Sequence, residues 1–543
     1  MRNNNTDPLQ MTAIGGLVNP ANTTIFRQRF SIPSLFETPP DPPLPRDADA
    51  LAVRAPATDA LFVDLDGTLV FTDVFAEGLL SAVQWHPRRF FDLLTQLPQG
   101  YAACKRTLAK FWKPDFDHLP LNEEIVALIQ EHRSLGCPVI LATATDRIWA
   151  DQIAGVSSLF DAVLASDGRT NLKGAEKLRA IRKLCRDNGY RNFSYAGDSS
   201  EDIAIWKAAN VAYVVSSEPR LVRRVRGSGL AQVHVIPRTK NTSREFFKAL
   251  RPWQWVKNSL LFVPLIAAHN APQFSQVLNA VFAFLIMSLI ASGLYVVNDL
   301  LDLAEDRCHP AKCRRPFAAG TLPLGYGPVL SAGLLICGFS LAALLLTPLF
   351  SAIMALYLIF ALIYSAGLKK VAVADVIFLS GLYTLRIVAG GVATDIVVSD
   401  WLLTLSVFLF TSLAFAKRHA ELLRLQSESK IRAQGRGYVV SDLGLVRQFG
   451  MISGYIAVLV FALYAADPRI QSEYSRPSVL WLVCPLALFW ISHVWVSATR
   501  GLLNEDPIVF AMKNRVSLGV GLCIVGLWAL AAFSFIPGSY SVD

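Results

Sequence analysis

Long uncharged apolar runs fill the second half of this chain, whereas its first half mixes charged and apolar positions as soluble domains do. A bilayer core requires about 20 apolar residues per helix. Two of the runs can each hold two such helices, with breaks near 269–272 and 347–349. The pattern predicts nine membrane helices, and they lie in these runs: 258–298, 316–368, 376–394, 401–416, 449–466, 477–499 and 516–542.

Basic residues are unevenly distributed over the loops between these predicted helices. If the first half of the chain is cytoplasmic, the loops on its side carry 16 Lys and Arg, and the opposite loops carry two. This asymmetry follows the positive-inside rule and accounts for the net charge of +9 without a nucleic-acid partner. We therefore expect a multi-pass membrane protein, embedded in the lipid bilayer, whose N-terminal half faces the cytoplasm.

Composition supports this division of the chain. With 53% hydrophobic residues and a mean hydropathy of +0.39, the protein is too apolar for an ordinary soluble enzyme. The eight cysteines are scattered, which favours reduced thiols over a disulfide framework. The predicted domains are a disordered Pro-rich tail at 1–55, an α/β domain at 56–235, a linker with an interfacial helix at 236–257, and an all-α membrane domain at 258–543.

Two aspartates follow a predicted buried strand in LFVDLDGTLV (61–70). Residues two apart on a strand point the same way, so Asp64 and Asp66 would face one spot. Two carboxylates repel each other there unless a cation joins them. The plain alternative is a strand that ends in a polar turn.

Similar units recur further along the first half. CPVILATATD (137–146) is a second predicted strand that contains Thr143, and FSYAGDSSEDIAIW (193–206) is a third that leads into Asp198 and Asp202. A helix with Lys173 and Lys177 lies between them. Strands that alternate with helices, with polar groups at the strand ends, predict a doubly wound parallel sheet with a ligand site at its carboxyl edge.

The set DxDGT, a strand-end Thr, a Lys and GDxxxD resembles the haloacid dehalogenase-like phosphatases. The resemblance implies that Asp64 is the nucleophile and Asp66 the general acid and base. It also implies that Thr143 and a lysine hold phosphoryl oxygens, with Lys177 preferred over Lys173. Mg²⁺ would then be held by Asp64 and Asp198, with Asp202 supporting the site. The alternative is a degenerate domain with a structural role.

A second acidic cluster lies where a long apolar run ends, in NDLLDLAEDRCHPAKCRRP (298–316). Asp299, Asp302 and Asp306 are spaced to share one helical face. Carboxylates at a membrane edge are costly without a counter-charge, and Mg²⁺ with a diphosphate would supply one. A topology-setting charge cluster explains the basic residues of this segment but not its acidic face.

The pattern NDxxDxxxD after a membrane helix resembles the UbiA superfamily of intramembrane prenyltransferases. Its aromatic prenyltransferases have two Asp-rich motifs, both of which hold Mg²⁺ and diphosphate. This chain departs from that pattern, because its second position reads AKRHAEL (416–422), with Lys417 and Arg418 and only Glu421 acidic.

The departure is typical of decaprenyl-phosphate phosphoribosyltransferase-like members of the superfamily. Six segments carry this resemblance: RPWQWVKNSLLFVPL, NDLLDLAEDRCHPAKCRRPFAAG, YSAGLKK, LRIVAGGVA, AKRHAEL and EDPIVFAMKNR. The resemblance implies transfer of 5-phosphoribose from phosphoribosyl diphosphate (PRPP) to a polyprenyl phosphate. The first half would then remove the 5-phosphate. The alternative is a prenyltransferase that uses a prenyl diphosphate, with a regulatory or separately acting first domain.

Under the phosphoribosyltransferase interpretation, Asp299 and Asp302 are catalytic. The Mg²⁺–diphosphate site is expected to comprise Asn298, Asp299, Asp302 and Asp306. The phosphate-site candidates are Lys312, Arg315, Tyr364, Lys369, Lys417, Arg418 and Glu421. Arg386, in the middle of a predicted span, is a further candidate because charges inside membranes are costly unless they serve a function.

Overall fold

In the computed structural model, the described residues are 59–85, 88, 93, 95–96, 100–113, 115–227, 232–238, 242–268, 272–429, 436–503 and 506–532. The predicted tail at 1–55 lies outside them. The chain divides into two compact units, residues 1–239 and 240–543. Each is described here by itself.

The first unit is built on six parallel strands in the order β3-β2-β1-β4-β5-β6. The central strands are almost wholly buried, as expected for strands covered on both faces. This order confirms the predicted doubly wound α/β fold. The strands are β1 Asp59–Val63, β2 Val139–Asp146, β3 Ala162–Ser166, β4 Asn192–Gly197, β5 Val211–Val215 and β6 Gln232–Ile236.

Helices pack on both faces of this sheet. On β1, Leu61 and Val63 enter one hydrophobic cluster, whereas Ala60 and Phe62 enter the cluster on the other face, as alternation along a strand requires. The first unit's α-helices are α1 Val74–Trp85, α2 Tyr101–Phe111, α3 Glu123–Ser134, α4 Arg147–Ser157, α5 Ala175–Asn188, α6 Ile203–Trp206 and α7 Pro219–Arg226.

Among the described residues of the second unit, the regular elements are all helices. The unit begins with α8 Thr242–Leu250, and a 3₁₀ segment at Pro252–Phe262 follows. Its later α-helices are α9 Val263–Ala267, α10 Phe274–Leu301, α11 Leu303–Cys308, α12 Tyr326–Leu345, α13 Pro348–Ala366, α14 Ala374–Thr394, α15 Asp400–Ser427, α16 Leu443–Ala466, α17 Pro468–Glu473, α18 Val483–Thr499, α19 Pro507–Lys513 and α20 Arg515–Ala532.

Eight helices among the described residues are long and apolar enough to cross a membrane, whereas hydropathy predicts nine. The difference lies in the first predicted span. There the 3₁₀ segment is followed by the five-residue helix α9, with the polar side chains of Lys257 and Asn258 buried in it. These side chains need polar partners inside the unit, so this segment packs as a short insert beside α10 and α14.

A glycine of α14 lets the 3₁₀ segment pack closely against that helix. A Cβ on Gly390 of α14 would lie 2.1 Å from the carbonyl oxygen of Leu261, so only glycine allows the backbones to approach this far. Close packing of small residues is a common way for membrane helices to associate. The contact holds the polar side chains of the 3₁₀ segment against the centre of α14.

Candidate active sites

Asp64 and Asp66 lie immediately beyond the carboxyl end of β1. The Asp64 carboxylate accepts a hydrogen bond from the backbone N–H of Leu65 at 2.9 Å. Asp66 accepts one from the N–H of Val74 at 2.9 Å and one from the Thr145 hydroxyl at 2.6 Å. Burial, reinforced by the Asp73 carboxylate, raises the pKa of Asp66 to about 7. A carboxyl group with that pKa can both give and take a proton near neutral pH.

Lys177, and not Lys173, lies beside Asp64. Its ammonium group is 3.0 Å from the Asp64 carboxylate and donates to the Tyr195 hydroxyl at 3.0 Å. Although burial opposes its charge, the carboxylates of Asp64 and Asp202 raise the pKa of Lys177. Lys173 instead forms an exposed ion pair with Glu201 at 2.8 Å. Thus α5 presents the second of the two candidate lysines to the site.

Three carboxylates converge at the same edge of the sheet. Asp64, Asp198 and Asp202 each place one oxygen within 4.8 Å of the others. Asp202 is oriented by the Tyr195 hydroxyl, which donates to it at 2.9 Å. An acidic, oxygen-only donor set of this kind fits Mg²⁺. Gly67 is required beside it, since its φ is +79° and a Cβ would fall 2.0 Å from an Asp198 oxygen.

Thr143 is fully buried in β2, and its hydroxyl oxygen accepts the N–H of Thr145 at 3.0 Å. Two residues that the sequence argument missed also lie here. The hydroxyl of Thr145 contacts Asp66, and Lys105 of α2 donates to the carbonyl oxygen of Ala144 at 2.8 Å. The second threonine in ATATD was the available signal for Thr145. Lys105 had none, because it comes from a helix far away in sequence.

The acidic cluster of the second unit forms around a break in the helix. The helix α10 ends at Leu301 and α11 begins at Leu303, with Asp302 between them. The hydrogen-bond spacing nevertheless continues through the break, since the N–H of Asp302 donates to Asn298 at 2.9 Å and that of Asp306 to Asp302 at 2.8 Å. The three aspartates therefore keep the register that a single helix would give them.

Every carboxylate of this cluster meets a cation. Asp299 pairs with Arg251 and, at 3.1 Å, with Arg315. Arg315 also pairs with Asp306, and Lys312 lies 3.9 Å from it. Asp302 pairs with Lys369 and accepts from the Asn298 amide at 2.9 Å. The structure thus brings together these predicted residues: Asn298, Asp299, Asp302, Asp306, Lys312, Arg315 and Lys369.

Two oxygens of the cluster remain without a hydrogen bond. Asp299 Oδ2 and Asp306 Oδ1 are buried, and neither has a hydrogen-bond partner within the described ranges. Leaving a buried carboxylate oxygen unsatisfied is costly. Carboxylate oxygens are the ligands that Mg²⁺ prefers, so these two oxygens are available as ligands for a divalent cation.

Arg251 is a site residue that the sequence argument treated only as part of an interfacial anchor. Its backbone is in the left-handed region, with φ 52° and ψ 55°, and its guanidinium lies 5.4 Å from the centre of the Tyr295 ring. A non-glycine residue in that conformation is uncommon, and here it turns the chain between α8 and the 3₁₀ segment. The RPWQW segment therefore supplies an arginine to the acidic cluster.

A second cluster surrounds Asp506. Lys257 and Lys417 lie 2.8 and 2.9 Å from one of its oxygens, and the Tyr383 hydroxyl donates at 3.3 Å. Although burial opposes ionisation, the two ammonium groups hold the pKa of Asp506 well below its usual range. Asp506 therefore places a carboxylate from a distant segment beside Lys417 of AKRHAEL, whose own acidic residue is Glu421. A lone aspartate before a proline gave little sequence signal.

Arg418 is the centre of a third network of hydrogen-bonded side chains. It is buried and donates to Asp375 at 2.6 Å, Glu421 at 2.6 Å and the Tyr364 hydroxyl at 3.0 Å. Arg436 also donates to Tyr364, at 3.0 Å. Three of the predicted phosphate-site residues, Tyr364, Arg418 and Glu421, are thus joined to one another, and Lys417 is joined to Asp506.

Arg386 is held entirely by protein groups on its helix and the neighbouring elements. It donates to Asn258 at 3.1 Å, to the Tyr357 hydroxyl at 2.7 Å and to the carbonyl oxygen of Leu382 at 2.7 Å. These bonds satisfy a charge that would otherwise be expensive at this depth. The geometry gives Arg386 a role in fixing the 3₁₀ segment against α14, and its contacts do not include the acidic cluster.

Comparison with known proteins yields two family matches. The UbiA prenyltransferase family matches residues 259–514, and the haloacid dehalogenase-like hydrolase family matches residues 61–207. These ranges contain nearly all the clustered residues described above.

Three relatives extend these matches. An uncharacterized protein y4nM of Sinorhizobium fredii is 36% identical over 87% of this chain and 90% of its own length. Nodulation protein NoeC of Azorhizobium caulinodans is 36% identical over 52% of this chain and 90% of its own. A decaprenyl-phosphate phosphoribosyltransferase of Mycobacterium tuberculosis is 39% identical over 50% and 88%. The first relative is long enough to match both units.

Proposed function

Because this chain belongs to the UbiA prenyltransferase family and carries a haloacid dehalogenase-like domain in its first half, we propose that it performs two successive reactions. Its multi-pass membrane domain transfers 5-phosphoribose from PRPP to a polyprenyl phosphate and releases diphosphate. Its first domain then removes the 5-phosphate from the lipid product. In this proposal both sites face the cytoplasm at the bacterial inner membrane.

The observation that carries the transferase proposal is the contrast between the acidic cluster and the cluster around Asp506, where two lysines meet one aspartate. A prenyl diphosphate donor has one phosphorylated end, whereas PRPP has a diphosphate at C1 and a phosphate at C5. The acidic cluster suits the first, with Mg²⁺ neutralising the leaving diphosphate. Lys257 and Lys417 suit a phosphate that carries no metal. The 39% identity to decaprenyl-phosphate phosphoribosyltransferase supports the same donor.

The transferase residues would act by position and charge. Asp299, Asp302 and Asp306 would hold the Mg²⁺–diphosphate, while Arg315 and Lys312 would meet diphosphate oxygens. The C1–O bond to diphosphate breaks, and the phosphate oxygen of the polyprenyl acceptor forms the new bond to C1. That oxygen is already ionised, so the protein needs no strong base, only alignment and stabilisation of charge.

The phosphatase residues follow the geometry at β1. An Asp64 oxygen attacks the phosphorus of the 5-phosphate, and Asp66 gives its proton to the departing C5 oxygen. Asp66 then takes a proton from the water that hydrolyses the aspartyl phosphate, so phosphate leaves and Asp64 is restored. Lys177 and Thr143 hold phosphoryl oxygens. Asp198 and Asp202, with Asp64, would hold Mg²⁺.

Joining the two reactions in one chain has a physical benefit. A short linker keeps the phosphatase site near the product of the transferase site. The effective concentration of one site at the other is in the millimolar range for short flexible linkers. The predicted linker at 236–257 is short. The phosphorylated lipid would therefore be dephosphorylated before it disperses.

The substitution Lys177→Met tests the phosphatase assignment, with Lys173→Met as its matched control. Lys177→Met removes the cation beside Asp64 and should lower kcat/KM for phosphate release on the order of 10²-fold or more. Lys173→Met breaks an exposed ion pair worth less than about 1 kcal/mol, so it should change the rate at most about fivefold. The rate of phosphate release by the purified full chain is measured for each variant. Equal losses of kcat/KM in Lys177→Met and Lys173→Met would contradict the assignment.

A donor competition tests the transferase assignment. Membranes containing the full chain are incubated with polyprenyl phosphate, an aromatic acceptor and either labelled PRPP or labelled prenyl diphosphate, and the lipid products are separated. We expect label in the lipid phosphate fraction from PRPP only. Transfer from prenyl diphosphate to an aromatic acceptor, with none from PRPP, would instead establish the prenyltransferase alternative.

A further inference from the structure

Helix α7 of the first unit carries four arginines within seven residues. Leu221 and Val225 point into the hydrophobic cluster beneath the sheet, whereas Arg220, Arg223, Arg224 and Arg226 are exposed. At the periodicity of an α-helix, these four cover an arc of roughly 160° on the side opposite the buried residues. We refer to them as the arginine face.

The charges of the arginine face are not balanced by neighbouring acids. Across the part of the chain that the structure describes, none of the four forms an ion pair with a carboxylate. Arg223 donates from Nε to the carbonyl oxygen of Pro219 at 3.3 Å. Like charges three and four residues apart on a helix repel one another. The face is therefore arranged to meet an external anion.

The helix dipole explains only part of this arrangement. Cations near the last turn of a helix are favourable, which accounts for Arg223, Arg224 and Arg226. Arg220 lies in the first turn, where the same dipole disfavours a positive charge. Its presence extends the arginine face along the whole length of the helix.

Chain connectivity limits where that partner can be. Arg226 lies 14 positions before Lys240, the first residue of the membrane-spanning unit. Even a fully extended chain of that length reaches only about 50 Å. The membrane that the second unit spans is therefore within reach of the arginine face.

We propose that the arginine face of α7 docks on anionic phospholipid headgroups of the membrane that the chain spans. Guanidinium groups form paired hydrogen bonds with phosphate oxygens, and anionic leaflets attract clustered basic residues near membrane helices. The helix begins just beyond β5, at the carboxyl edge that also holds Asp64 and Asp198. Docking would hold that edge near the lipid surface. Its use in dephosphorylating a lipid rests on the proposed function, but the docking itself does not.

Arginine-selective footprinting of the full chain tests the proposal. The protein is placed in nanodiscs of phosphatidylcholine alone or of phosphatidylcholine with phosphatidylglycerol. Phenylglyoxal then modifies accessible arginines, and mass spectrometry gives the rate at each position. We expect the four arginines to react several-fold more slowly with phosphatidylglycerol present, and high salt to remove the difference because it screens exposed charges.

Arg133 and Arg147 are the controls within the same chain. They are exposed on α3 and α4, which pack on the other face of the sheet, so their rates should not change between the two lipids. Equal rates for α7 in both nanodiscs would overturn the proposal, as would equal protection of the control arginines. Protection by added RNA, but not by phosphatidylglycerol, would assign the face to nucleic acid instead. The readout needs no catalytic activity, so failure of the proposed reactions would not affect it.

Discussion

Asp64→Asn is expected to leave phosphoribosyl transfer intact and to make the 5-phosphorylated lipid accumulate. Asparagine keeps the shape of the side chain but cannot form the aspartyl phosphate, so dephosphorylation should fall on the order of 10³-fold or more. The lipid products of membranes supplied with labelled PRPP and polyprenyl phosphate give the readout. The phosphorylated lipid should replace the dephosphorylated one while their sum stays near the wild-type level.

Asp187→Asn is the matched control for that experiment. Asp187 is exposed near the end of α5, about 15 Å along the helix from Lys177. The same change of charge there should leave both lipids in their wild-type proportions. If Asp64→Asn also leaves those proportions unchanged, the first domain does not act on this lipid and the coupled scheme fails.

Asp302→Asn should abolish both lipid products. The substitution removes the carboxylate that pairs with Lys369 and that would hold Mg²⁺–diphosphate. Losing several kcal/mol of leaving-group stabilisation lowers the transfer rate on the order of 10²-fold or more. Unlike Asp64→Asn, this change should lower the sum of the two lipids, because the second reaction depends on the product of the first.

Two measurements separate this result from misfolding. The Asp302→Asn chain should still release phosphate from a soluble phosphate ester, since the first domain is unaltered. Glu305→Gln changes an acid in the same segment that has no ion pair among the described residues, and it should retain transfer. Wild-type transfer by Asp302→Asn would contradict a role of the acidic cluster in the reaction. An equal loss of transfer in Asp302→Asn and Glu305→Gln would contradict it as well.

Residues at the ends of regular elements were predictable from the sequence. Parallel strands place their carboxyl ends at one edge, so Asp64, Asp66 and Asp198 could be expected together before any coordinates. The acidic spacing around Asp302 was predictable for a similar reason, because helical periodicity survives the break between α10 and α11.

Contacts between distant segments were not predictable in this way. Lys257 and Asp506 are 249 positions apart, and no local pattern joins a lysine in a 3₁₀ segment to an aspartate before a proline. The preference for Lys177 over Lys173, by contrast, came from the sequence, and the structure places Lys177 beside Asp64. The shortening of the first predicted span arose from buried polar groups, which hydropathy averages away.

The ion pairs of the acidic cluster have a consequence for how ligands enter it. Arg251, Arg315 and Lys369 already neutralise the aspartates. A metal ion arriving alone would displace them and leave buried cations without anions, which is unfavourable. A diphosphate arriving alone would meet aspartates that repel it. Arriving together, metal and diphosphate would exchange partners with the protein, aspartate to metal and arginine to phosphate. Under the proposed function, the internal charge balance of the cluster therefore favours the metal–diphosphate complex over either component alone.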